Sequence, residues 1–94
     1  MYMLRIEHPV PNYEGWKRAF DSDPVGRQKS GVRRYQILRS TTDPNYVMID
    51  LEFDTEQEAE ALLAAMRVVW GRVEGTIMMS PKWQIVEVVE TIVF

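Results

Sequence analysis

Val32-Arg-Arg-Tyr-Gln-Ile-Leu-Arg39, Ser40-Thr-Thr-Asp43-Pro-Asn45 and Tyr46-Val-Met-Ile-Asp50-Leu-Glu52-Phe53 read in turn as a strand, a turn and a second strand, and this hairpin decides the fold. Both outer runs are rich in β-branched and aromatic residues, and the middle run is made of turn formers. Setting Arg39 against Tyr46 places Arg33 opposite Glu52, Tyr35 opposite Asp50 and Ile37 opposite Met48 on one face. Val47, Ile49, Leu51 and Phe53 then line the other face beside Val32, Arg34, Gln36 and Leu38. Opposite charges meet in this register, which is the reason for choosing it.

Outward from the hairpin, each side adds one helix and one strand. Downstream, Thr55-Glu-Gln-Glu58 is a capping box, and Ala59, Leu62, Leu63, Met66, Trp70 and Val73 recur at helical spacing, predicting a long helix to about Gly75. A loop over Thr76–Lys82 leads to a final strand over Trp83–Val93. Upstream, Tyr2, Leu4, Ile6 and His8 alternate with Met3, Arg5 and Glu7, the period of a strand that Pro9 and Pro11 end. Asn12 is placed to cap a short helix carrying Tyr13, Trp16 and Phe20 on one side, which Asp21–Pro24 terminates.

The order is thus β-α-β-β-α-β across one domain spanning residues 1–94, an α+β chain of ferredoxin-like topology. Right-handed crossovers put both helices on one face of a four-stranded antiparallel sheet. Leu4, Ile6, Val47, Ile49, Leu51 and Phe53 suit that covered face. The bare face is expected to carry Met3, Arg5, Glu7, Tyr35, Ile37, Met48, Asp50 and Glu52, too mixed for a core and too apolar for water. A homodimer through this open face follows, provided that the carboxylates meet Arg5 and Arg33.

Composition narrows the partners. In 94 residues, 46% are hydrophobic, more than a chain that hides only about 60 to 68% of its unfolded surface easily covers. A net charge of -3 with interleaved signs offers no basic stripe for nucleic acid, and neither a signal peptide nor a membrane span is expected at the N-terminus. The chain has no Cys, which removes disulfides, thiolate chemistry and zinc fingers and suits the cytoplasm. No Gly-rich phosphate loop or dinucleotide fingerprint is present, and no cofactor is expected.

His8, the only histidine, is the side chain suited to proton transfer near neutral pH and is the candidate catalytic group; the alternative is a structural hydrogen bond in the His-Pro turn. Trp16, Met66 and Trp70, on the apolar faces of the helices, are candidates for a flat-walled ligand slot, or for plain core. Arg34 and Gln36, in the register above, are the polar helix-facing residues of the hairpin and candidates to bind a carboxylate or phenolate, or simply to reach water. Tyr35 beside Asp50 reads as an interface hydrogen bond. Glu7, Asp50 and Glu52 lack a second His or Cys, so no metal site is expected.

His8 after the first strand, the run Asn12-Tyr-Glu-Gly-Trp16-Lys-Arg-Ala-Phe20-Asp21, and Asp43-Pro-Asn45 before the third strand resemble the dimeric α/β-barrel superfamily over nearly the whole chain. The resemblance is closest to small uncharacterised members and more distant to antibiotic biosynthesis monooxygenases and haem-degrading enzymes. It implies that two sheets join across a dimer and that ligands sit between helices and sheet in each subunit. The haem-degrading branch uses an Asn on the first strand and a His after the second helix, and neither is present here. Two functions follow: a dimeric domain binding a hydrophobic or aromatic small molecule, or a cofactor-independent monooxygenase or cyclase-like enzyme acting on an aromatic or polyketide-like substrate. In the enzyme, His8 is the base, Arg34 steadies an enolate or phenolate and Trp70 stacks on the ring.

Overall fold

The computed structural model describes residues 1–73 and 78–94. The predicted end of the second helix and the start of the following loop lie outside the described residues. In chain order the elements are β1 (Tyr2–Pro9), α1 (Tyr13–Asp21), β2 (Arg34–Arg39), β3 (Tyr46–Phe53), α2 (Glu56–Val73) and β4 (Lys82–Glu87). The strands form one antiparallel sheet of order β2-β3-β1-β4, the ferredoxin-like α+β arrangement.

The local signals act as the sequence predicts. Asn12 Oδ1 accepts from the Gly15 N–H at 2.9 Å and caps α1. Thr55 Oγ1 accepts from the Glu58 N–H at 3.2 Å and donates to Glu58 Oε1 at 3.0 Å, opening α2. On the covered face Leu4, Ile6, Val47, Ile49, Leu51 and Phe53 are all buried, and Ala59, Leu62 and Trp70 of α2 and Trp16 and Phe20 of α1 close over them. Each fully buried aliphatic or aromatic side chain here contributes roughly 1.5–3 kcal/mol, so this layer holds the fold.

The hairpin register differs from the expectation by one residue. Arg34, Gln36 and Leu38 stand opposite Glu52, Asp50 and Met48, while Tyr35 and Ile37 stand opposite Leu51 and Ile49. A one-residue slip turns every side chain over. Arg34 and Gln36 are therefore on the open face, not the helix side, and Tyr35 and Ile37 are on the helix side, where Tyr35 packs edge-on against Phe20 at 5.2 Å between centroids. Charge pairing cannot tell the two registers apart, because Arg33 and Arg34 are alike. The Arg33 N–H does donate to the Glu52 carbonyl at 2.8 Å, as the first register has it, yet the Cα partner of Glu52 is Arg34. Two residues thus face one, a β-bulge, and the frame shifts by one beyond it.

The open face is consequently more polar than expected. It carries Arg5, Arg34 and Lys82 against Glu7, Asp50 and Glu52, with Met3, Leu38, Met48 and Val86 among them. Arg5 Nε donates to Asp50 Oδ1 at 2.9 Å, Gln36 Nε2 to Asp50 Oδ2 at 3.2 Å, and Tyr46 Oη to Glu7 Oε1 at 2.9 Å, while Arg34 pairs with Glu52. These partners leave Asp50 and Glu52 buried within the subunit. Arg33, expected among them, pairs with Asp54 instead. The last strand is also shorter than expected, ending at Glu87 and not at Val93, because its ladder with β1 runs out: Val88 N–H bonds the Met1 carbonyl and the residues after it leave the sheet.

Candidate functional site

Three predicted site residues converge. Trp16 on the inward side of α1, and Met66 and Trp70 one turn apart on α2, line a single cleft that Phe20, Val25 and Met78 complete. The cleft lies between the helices, and no residue of the four strands lines it among the described residues; the expected place between helices and sheet is filled by Trp16, Phe20 and Trp70, themselves buried against the strands. Its volume is about 80 Å³, room for part of a ring, and it opens to solvent. Met66 and Met78, unbranched and adaptable, are the walls that can widen it.

Among the described residues one charged side chain reaches this apolar lining, and the sequence reading missed it. Arg27 stands in the segment after α1, where its guanidinium carbon is 3.9 Å from the centroid of Phe20 and 5.1 Å from that of Tyr35. Nη1 donates to the Phe20 carbonyl at 2.8 Å and lies 3.5 Å from Asp23 Oδ1. The side chain is thereby fixed, mostly buried, at the edge of the cleft. Nothing in the spacing of a polar loop marks one arginine among several; its stacking partners come together only in the fold.

His8 is buried on the helix side, its ring edge-on to Trp16 at 5.9 Å between centroids, and it does not line the cleft. Nδ1 is 3.1 Å from the Pro9 carbonyl, which can only accept, so Nδ1 carries the proton and Nε2 the lone pair. Burial lowers the imidazole pKa below its ordinary value, against the opposing pull of the carbonyl, and His8 is neutral at pH 7. Arg34 and Gln36 line a separate depression of about 220 Å³ on the open face with Met3 and Glu52, remote from the helices. The structure so brings together Trp16, Met66 and Trp70, leaves His8 behind Trp16, and puts Arg34 and Gln36 on the other side of the sheet.

Among the described residues no three His, Asp or Glu side chains gather as metal ligands, and no helix is long and apolar enough to cross a membrane.

No protein-family model and no curated protein matches the chain. Solved structures do. SnoaB, a cofactor-independent oxygenase from Streptomyces nogalater, superposes with a TM-score of 0.77 at 11% identity, covering 96% of this chain and 94% of that one. A proposed antibiotic biosynthesis monooxygenase from Nitrosomonas europaea gives 0.72 at 21% identity over 96% and 100%. A dimeric ferredoxin-like protein from an uncultured marine organism gives 0.68 at 14% identity over 97% of each chain. These likenesses show the fold: the chain has the ferredoxin-like architecture found in antibiotic biosynthesis monooxygenase-like proteins and in dimeric ferredoxin-like proteins.

Proposed function

We propose that this protein is a homodimeric small-molecule-binding domain whose ligand is an apolar, ring-bearing molecule with an acidic group. The observation that carries the reading is the cleft in which Trp16, Met66 and Trp70 meet and to whose edge Arg27 is fixed. Flat apolar walls favour a ring, and a desolvated guanidinium favours a carboxylate or phenolate over the neutral isostere. The dimer forms through the open sheet face, where acids and bases balance and Asp50 and Glu52 already have partners, so that a second copy buries no uncompensated charge. Its dimeric neighbour of the same fold supports this.

Tryptophan fluorescence with 2-naphthoate as ligand tests the site. Saturable quenching is expected, at least tenfold weaker for 2-methylnaphthalene and for the Arg27→Met variant, about 1.4 kcal/mol or more. Equal affinity for acid and neutral compound, or none for either, overturns the reading.

A second reading, an oxygenase working without a cofactor, has one observation in its favour: His8 is a neutral imidazole with Nε2 as its basic atom. The likeness to SnoaB supports it too. In that reading the ring of Trp16, which covers His8, swings aside before Nε2 takes a proton from an electron-rich phenol, whose anion passes electrons to dioxygen. Dioxygen consumption with an anthrone, abolished in His8→Gln, is its expected signature; binding without consumption leaves the first reading standing.

A further inference from the structure

We propose that the ligand reaches past Arg27 into a second depression and presents a hydroxyl-rich ring there, so that the molecule this protein takes is an aryl glycoside bearing a carboxylate. The inference rests on the reading of the cleft given above and extends it to the far side of the arginine. At about 80 Å³ the cleft admits part of a ring and leaves the rest of any ligand outside. Arg27 also lines a wider depression of about 520 Å³, with Asp23, Gln28, Arg33, Arg34 and Tyr35 around it. One guanidinium therefore borders both spaces, with Phe20 among the walls of the cleft and Tyr35 among those of the depression. A group that continues the ligand beyond Arg27 enters this second space.

The chemistry of the depression suits hydroxyls. Arg27 pairs with Asp23, Arg33 with Asp54 and Arg34 with Glu52, so its three cations are already matched and a second anion meets no free one. Hydrogen-bonding capacity remains. Asp54 and Glu52 engage Nε and Nη2 of their arginines, while Nη1 of each and the side-chain amide of Gln28 have no partner among the described residues. Donors of this kind beside carboxylates with spare lone pairs form a mixed, charge-balanced set. A sugar hydroxyl, which donates and accepts at once, satisfies both members of it. Tyr35, 43% exposed, adds an aromatic surface for the apolar C–H face of such a ring. The wall is also built in advance. Asp23 stands in the left-handed region at φ +52°, where its Oδ1 accepts from the Arg27 N–H at 2.9 Å and its carbonyl from the Gly26 N–H at 3.2 Å. The Ser30 hydroxyl donates to the Val25 carbonyl at 3.2 Å and the Val32 N–H to the Arg27 carbonyl at 3.1 Å, closing the segment on itself. Backbone strain held in place by its surroundings gathers where ligands are gripped, and here it fixes the guanidinium between the two spaces.

The experiment titrates the full chain with 2-naphthyl β-D-glucuronide and with 2-naphthoate, following tryptophan fluorescence. The glucuronide sets its naphthalene in the cleft, its carboxylate at Arg27 and its hydroxyls in the depression, and is expected to bind at least tenfold more tightly than 2-naphthoate. Gln28→Ala, a change at an exposed position, is expected to remove at least threefold of that gain and to leave the affinity for 2-naphthoate as it was. The side-chain amide resonance of Gln28 in nitrogen-15-labelled protein gives a second measurement: it is expected to shift with the glucuronide and to stay in place with 2-naphthoate. A glucuronide no tighter than 2-naphthoate, a gain that Gln28→Ala leaves intact, or an unmoved Gln28 resonance overturns the glycoside while the reading of the cleft stands. Failure of both compounds to bind overturns both.

Discussion

His8 ties its own stability effect to pH in a direction the structure settles. Its imidazole is buried and its pKa lies below the ordinary value of about 6.5 that the unfolded chain retains. On acidification through that value the unfolded chain takes up a proton that the folded chain refuses, so stability falls as pH falls, by up to about 1.4 kcal/mol per pH unit. Urea denaturation at about pH 7.5 and pH 5.5 is expected to show this decline, and His8→Gln, whose amide can still donate toward the Pro9 carbonyl, to flatten it. An equal decline in the variant would assign the effect to other groups. Gly31 is the second residue with a definite consequence. Its φ is +101°, and a Cβ there would clash with the Glu58 carboxylate at Oε2, while the other Glu58 oxygen accepts from the Thr55 hydroxyl at the start of α2. Gly31→Ala is expected to cost about 1–2 kcal/mol in chemical denaturation. Adding Glu58→Ala should recover part of that loss by removing the clash and leaving the backbone strain. No recovery would mean that the backbone strain accounts for the whole cost.

At the scale of elements, the sequence is legible wherever one signal has one meaning. The Thr55–Glu58 box and the spacing of Ala59, Leu62, Met66 and Trp70 admit only a helix starting there, and that helix is found. Leu4, Ile6, Val47, Ile49, Leu51 and Phe53 alternate strictly, and all are buried. The register of β2 is illegible for the opposite reason. Arg33 and Arg34 each satisfy Glu52, so the pairing test has two solutions, and only the packing of Tyr35 on Phe20 and of Ile37 on the core selects one. That choice decided the candidate site too: it removed Arg34 and Gln36 from the helix side. Arg27 escaped notice because its function depends on three-dimensional neighbours, Phe20 from α1 and Tyr35 from β2, that no linear spacing connects.

At the scale of the whole molecule, the two faces of the sheet divide the labour. The covered face holds the fold and carries the helices between which the cleft lies; the open face bears a balanced set, Arg5, Arg34 and Lys82 against Glu7, Asp50 and Glu52. Balance makes the proposed dimer sensitive to any added charge. Met48, beside Glu7 and Asp50 on this face, is a position where one more carboxylate tips the balance toward acid. Met48→Glu is expected to weaken self-association at least tenfold by sedimentation equilibrium, with circular dichroism unchanged. Association of unaltered strength would show that this face stays wet.

The bulge at Arg33–Arg34 bears on how chains of this shape can change in length. Because two positions there already answer to one on the neighbouring strand, losing one of them would straighten the strand without turning Tyr35 and Ile37 away from the core. Elsewhere in β2 the same deletion would invert every side chain beyond it. Length differences among descendants of this sequence should therefore collect at that doublet, the one point along the strand where the genetic text can be shortened by a letter and still be read in frame.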